Sequence, residues 1–159
     1  MFKRFFKYSI LAFFLVFAFQ SQIVLAANFN EKLSDIRSEI NRDNLNEAIK
    51  KLKKIKIESE LQQDQINVLY GDIYLKINKP QKAEEFYEKS FFASNKDVEA
   101  LSLIGLAEVR LIQGRLNDAI KYSEQSIAIN SDKIRPKIIL AIAKTRIGDG
   151  EEAINILND

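Results

Sequence analysis

Leu103–Asn130 reads LIGLAEVRLIQGRLNDAIKYSEQSIAIN. A run of small and branched residues, a glycine break at Gly114 and a second amphipathic run fit into this one segment. The pattern recurs. Setting Ala119 over Ala153, a 34-residue step, aligns IQGRLNDAI with RIGDGEEAI and places Gly114 over Gly148. A period in this range signals stacked helical hairpins, each burying its apolar face only against its neighbours.

Earlier in the chain, Leu69-Tyr70-Gly71, Tyr74, Ala83 and Tyr87 carry the same spacing with larger aromatic content. These residues resemble the tetratricopeptide repeat family, whose 34-residue helix-turn-helix holds small and aromatic residues at fixed places. In the next copy Ala107 takes the small position, Arg110 replaces the tyrosine, Ala119 follows, and Ser123 replaces the aromatic. Leu140-Ala141, Lys144 and Ala153 mark a further copy, and NLNEAI around Ala48 a fainter first one. Asn95 and Ser131 stand where the family usually ends a unit with proline. The resemblance implies an all-α fold: an α-solenoid of about four antiparallel helix-turn-helix repeats, near 29–62, 64–97, 100–133 and a truncated 134–159.

Size agrees with this count. Setting aside the first 26 of the 159 residues leaves 133, room for four units of about 34 residues. With 47% hydrophobic and 29% charged residues the chain has the composition of a folded globular protein.

The N-terminus reads as a secretory signal peptide, residues 1–26. Lys3, Arg4 and Lys7 form a charged start, Ile10 to Phe19 an apolar core, and Val24-Leu25-Ala26 a small-residue cleavage site. The ten-residue core is short for about 30 Å of hydrocarbon. Cleavage is expected after Ala26, leaving residues 27–159 as a periplasmic or secreted domain; the alternative is a membrane anchor formed by an uncleaved leader. The three leader cations account for the formal charge of +2, since without them 21 basic residues face 22 acidic ones. No clustered basic footprint of the kind nucleic acid requires is left.

Phe29, Leu33, Ile36 and Ile40 give one apolar stripe on a first helix over 29–42. Asn44 and Glu47 have capping-box spacing before a second helix expected to run from Leu45 to about Ile57. Its lysines, Lys50, Lys51, Lys53, Lys54 and Lys56, read as a solvated face, with weak attraction to anionic headgroups or to an acidic partner as the alternative. Gly71 sits inside the next helix, Leu61–Ile77, where the resemblance implies close approach of the partner helix's backbone. Pro80 suits a first helical turn. Gly114 and Gly148 suit left-handed helix ends, and the 36-residue step from Ala83 to Ala119 places two extra residues near Ser94–Glu99.

Chemistry has little to work with. The chain contains no histidine and no cysteine, which removes the commonest general base, the thiol nucleophile and the usual transition-metal ligands. Adjacent acids such as Glu84-Glu85 and Glu151-Glu152 diverge by about 100 degrees on a helix. No enzymatic activity, metal or cofactor is expected.

Binding remains. The resemblance implies a concave groove lined by the first helix of each repeat, which selects Val68, Asp72, Leu75, Leu101, Ile104, Glu108, Leu111, Ile112, Ile138 and Ile142. The alternative for several of them is packing against the neighbouring helix. Eight of the ten are apolar, so the expected partner is an extended or helical segment of another envelope protein, with Asp72 and Glu108 favouring a basic residue on it. The final helix is short, and Ile154, Ile156 and Leu157 are expected to be partly bare. The alternative function is therefore self-association through that helix, giving a homo-oligomeric structural module.

Overall fold

The structure, a computed structural model, describes residues 26–158. All regular structure among the described residues is helical, and it falls into two compact units divided after Asn44. The expected leader, residues 1–26, lies outside the described residues except for Ala26.

In the first unit, helix α1 covers residues 26–41. Its stripe of Phe29, Leu33, Ile36 and Ile40 is buried, as its spacing predicts. The helix ends on Asp43, whose φ of 65° is left-handed. Asp43 N–H then donates to the Ile40 carbonyl and Asn44 N–H to that of Glu39, the paired bonds of a Schellman turn.

The second unit contains α2 (Leu45–Leu52), α3 (Glu60–Lys76), α4 (Pro80–Lys89), α5 (Lys96–Ile112), α6 (Leu116–Ile129), α7 (Ile134–Ile147) and α8 (Gly150–Asn158). Helices α3–α4, α5–α6 and α7–α8 are hairpins, and α5 also packs on α3 and α7. That is the stacking of an α-solenoid.

The hairpin turns share one chemistry. Asn78, Gly114 and Gly148 have positive φ, and each is followed five residues later by an alanine, Ala83, Ala119 or Ala153, that is buried at the start of the second helix. Asp43 and Ala48 stand in the same relation. The glycines are expected from their type; Asp43 and Asn78 use the tolerance of short polar side chains for the left-handed region. Pro80 opens α4 as anticipated. The two extra residues of the longer step from Ala83 to Ala119 fall in the connection before α5, where Asn95 Oδ1 accepts from the Val98 N–H and starts the helix.

One boundary differs. Helix α2 stops at Leu52, five residues short of Ile57. Past it the bonding tightens: Lys54 N–H reaches the Lys51 carbonyl and Ile55 N–H that of Leu52. Lysines at 50, 51, 53, 54 and 56 stack like charges three and four residues apart, which disfavours a longer helix. Lys50 pairs with Glu47 and Lys56 with Glu58, both in solvent.

The core repeats with the hairpins. Val68, Ala83, Tyr87, Val98, Leu106 and Val109 form one cluster, and Ile104, Ala107, Leu111, Ala119, Ile139 and Ala143 form the next. A polar bond recurs in two successive hairpins: Ser90 Oγ donates to the Asp64 carbonyl, and one hairpin on Ser126 Oγ donates to that of Ala100. Both serines are fully buried, where an unbonded hydroxyl would be costly.

Candidate functional site

Tyr87 organises the ground beneath the expected groove. Its ring is fully buried against two helix-interior glycines, one in α3 and one in α5. A Cβ on Gly71 would lie 2.5 Å from Tyr87 Cε1, and one on Gly105 would run into Cζ, Cε1 and Cε2 of the same ring. The close approach at Gly71 is thus made by an aromatic ring rather than by backbone. Gly105 of α5, not singled out by the repeat spacing, meets the same ring. The repeat register sets Ala107, not Gly105, against Gly71, so position in the repeat does not reveal it.

The phenol hydroxyl of Tyr87 donates to Asp72 Oδ1 at 2.7 Å. Burial pushes this phenol well above its usual value of 10.0, and the Asp72 carboxylate adds to the shift. The same Asp72 oxygen lies 3.9 Å from Arg135 of α7, which also forms an ion pair with Glu108 of α5. Asp72, Glu108 and Arg135 thereby join three successive first helices. Burial works against the Arg135 charge, but Glu108 and Asp72 outweigh it and hold the guanidinium above its usual range. The two acids expected to meet a basic ligand therefore already meet a cation of this chain. Arg135 carries no repeat signature and belongs to a different hairpin from either acid, so spacing alone does not reveal the pair.

The ten expected groove residues divide by burial. Val68, Ile104 and Leu111 belong to the core clusters, and Leu75 and Leu101 are half-buried against them. For these five the packing alternative describes their surroundings. Asp72 and Glu108 are held by Arg135. Ile112, Ile138 and Ile142 are exposed.

The last two of these isoleucines are drawn into another feature. Between α7 and α8 runs an open apolar trough of about 640 Å³, lined by Ile138, Ala141, Ile142, Thr145, Ala153, Ile154 and Leu157 among others. Ile154 and Leu157, expected to be partly bare, are exposed, and Ile156 is half-buried. The structure so joins the end of the groove stripe to the C-terminal helix in one surface.

A second ion pair is structural. Arg110 stands at the position where a tyrosine is usual and is buried, paired with Glu84 of α4. Arg110 Nη1 donates to Gln113 Oε1 at 2.8 Å, and Gln113 Nε2 donates to Glu84 Oε2 at 3.0 Å. Burial raises the Glu84 carboxyl, but the bonds from Arg110 and Gln113 together with the Arg110 charge outweigh it and hold the group below its usual 4.5.

Among the described residues no group of three or more acids or other ligand side chains is placed to hold a metal ion. No helix among them is long and apolar enough to cross a membrane.

No curated protein matches the chain. The comparison with protein families does find one hairpin: residues 64–91, which contain Gly71, Ala83 and Tyr87 and span most of α3 with all of α4, match the tetratricopeptide repeat family.

Proposed function

We propose that this protein is an exported, non-catalytic interaction module that holds a segment of another envelope protein against the exposed faces of α5 and α7. Repeats of the matched family generally mediate contacts between proteins, which supports a protein partner. The observation that carries the placement is the set of exposed isoleucines, Ile112 of α5 and Ile138 and Ile142 of α7, on the two helices that the Glu108–Arg135 ion pair joins. Contiguous exposed apolar surface rimmed by polar groups marks interaction sites. With Asp72 and Glu108 occupied internally, affinity rests on apolar burial and not on a basic residue of the ligand. Export rests on the charged start, apolar core and small-residue junction of residues 1–26.

A photo-crosslinking side chain at Ile112, compared with one at Lys121 on α6, tests the groove in the native compartment. A discrete adduct from 112 and none from 121 is expected; equal labelling from both would sink the placement. Mass spectrometry of the protein recovered from cells tests export, with Ala27 as the expected N-terminus.

A further inference from the structure

The connections that lead from one hairpin into the next carry a feature that the groove does not use. Setting Ala48 over Ala83, a 35-residue step, places Leu52 over Tyr87 and Ile57 over Phe92. The first two pairs are buried, whereas Ile57 is 43% exposed and Phe92 87%. Ile57 lies between α2 and α3, and Phe92 between α4 and α5. Both connections belong to one edge of the stack. The Ser90–Asp64 bond joins the end of α4 to the start of α3, and α5 begins a few residues beyond Ser90.

The surroundings of Phe92 hold it outward. Ser90 and Ala93 on either side of this pair of phenylalanines are buried, and Ala93 N–H donates to the Ser90 carbonyl. The Phe91 ring packs edge-on against Phe92 with centroids 4.5 Å apart, and against Tyr122 of α6 at 6.0 Å.

Both segments are basic. Residues 48–57 contain Lys50, Lys51, Lys53, Lys54 and Lys56 and no acid, and residues 89–96 begin and end with lysine and contain no acid. Lys53 and Lys54 are exposed. Flanking Glu47, Glu58 and Glu99 pair with Lys50, Lys56 and Lys96, whose side chains stay largely in solvent. Such exposed pairs are weak and compete poorly with a dense anionic surface.

Two observations select a phospholipid surface over an acidic protein. Ile57 and Phe92 stand in separate connections with lysines beside each, where a protein interface favours one contiguous apolar patch. A bilayer accepts isolated apolar tips with cationic chains at headgroup level. The cations of both segments are also all lysine. Lysine is a hydrated point charge on a flexible stem, suited to a mobile layer of phosphates, and neither segment offers the planar arginine fork that fixes a carboxylate.

We infer that this edge binds an anionic phospholipid surface. Phe92 and Ile57 enter the boundary between headgroups and acyl chains, and Lys53, Lys54 and Lys56 meet the phosphates. The groove isoleucines take no part, so the groove reading stands or falls separately, on the crosslink from position 112.

The chain contains no tryptophan, so Phe92→Trp gives the protein recovered from cells a single fluorescent reporter. On vesicles of phosphatidylcholine mixed with phosphatidylglycerol its emission should shift to the blue and be quenched by brominated acyl chains. On phosphatidylcholine alone it should do neither. Ile147→Trp, at the α7–α8 turn on the opposite edge, should not respond to either vesicle. In sedimentation with the mixed vesicles, Lys53→Gln with Lys54→Gln should weaken wild-type binding roughly twentyfold, at about fivefold per lysine. Phe92→Ser should weaken it about tenfold. All three positions are exposed, and unchanged thermal unfolding verifies that the variants fold. Absence of binding to the mixed vesicles overturns the inference. So does binding indifferent to lipid charge and to these substitutions, which is how attachment through an uncleaved leader behaves. Capture of soluble polyglutamate without vesicle binding assigns the lysines to an acidic protein and also overturns it. Vesicle binding with no blue shift from Phe92→Trp does the same, since the contact would then be charge alone.

Discussion

The ring of Tyr87 occupies the space that a side chain on Gly105 would need, although the two residues belong to neighbouring hairpins. An uncrowded glycine in a helix interior costs about 0.5–1 kcal/mol relative to alanine, so Gly→Ala ordinarily stabilises. At Gly105 the sign reverses. Tyr87 has little room to retreat, because its fully buried ring is also pressed close to Gly71 of α3. Gly105→Ala is expected to destabilise by about 1–3 kcal/mol, the usual cost of overpacking, read from the urea midpoint at unchanged m. In a Tyr87→Leu background the same substitution should be neutral or stabilising. A stabilising Gly105→Ala in the wild-type background would remove the ring from its assigned place.

Tyr87→Phe keeps the ring and deletes only the hydroxyl that donates to Asp72. A bond to a charged acceptor contributes about 1.5–3 kcal/mol, and a loss near the lower end is expected because Asp72 retains Arg135. The phenol's folded pKa is raised, so its stabilisation is fully present below the unfolded value of 10.0 and is lost as pH climbs from there toward the folded value. Wild type should therefore lose stability above pH 10.0, and Tyr87→Phe should show a shallower alkaline limb.

The opposite sign holds at Glu84. Its folded pKa is depressed, so the stability it contributes is present above its ordinary 4.5 and disappears as pH falls through the folded value. Glu84→Gln should cost most near neutrality and converge on wild type in acid. Arg110→Met alone should cost about 3 kcal/mol, because it strands a largely buried carboxylate, while Arg110→Met with Glu84→Gln should recover most of that loss. A double-mutant cycle with no coupling would show that the pair is incidental.

Much of the scaffold is legible in the sequence because it depends on local chemistry: Gly114 and Gly148 at left-handed turns, Pro80 at a helix start, and the Ala83, Ala119, Ala153 spacing. The left-handed Asp43 and Asn78 are equally local yet not legible, since their residue types permit that conformation without demanding it. The groove is less readable. Val68, Ile104 and Ile138 share a register, yet the first two are buried under neighbouring helices and the third is exposed among the described residues, a difference the repeat pattern does not encode. Arg135 illustrates the same limit: a long side chain crosses from α7 to acids on two other helices, and no periodicity encodes that reach.

Arg135→Gln tests what the internal cation does. All three charged partners are partly exposed, so solvent screening keeps the stability loss to roughly 1 kcal/mol or less. The effect on recognition should be larger. With Asp72 and Glu108 released, a lysine-bearing peptide should bind the variant more tightly than wild type, and the gain should vanish as salt rises. Wild-type binding to its own partner should vary little with salt. If raising salt from low to physiological levels abolished that binding, a charge-led contact would replace the apolar groove.

Stability should fall off along the stack, because each hairpin is held only by its neighbours. Helix α5 lies between two others and buries eleven of its residues, from Val98 to Leu111. Helix α8 buries Ala153 alone and leaves Ile154 and Leu157 in solvent. Amide hydrogen exchange should therefore be slowest in α5 and fastest in α8, with α8 opening well below the global unfolding free energy. Exchange as slow in α8 as in α5 would show that the end of the stack is held as firmly as its middle.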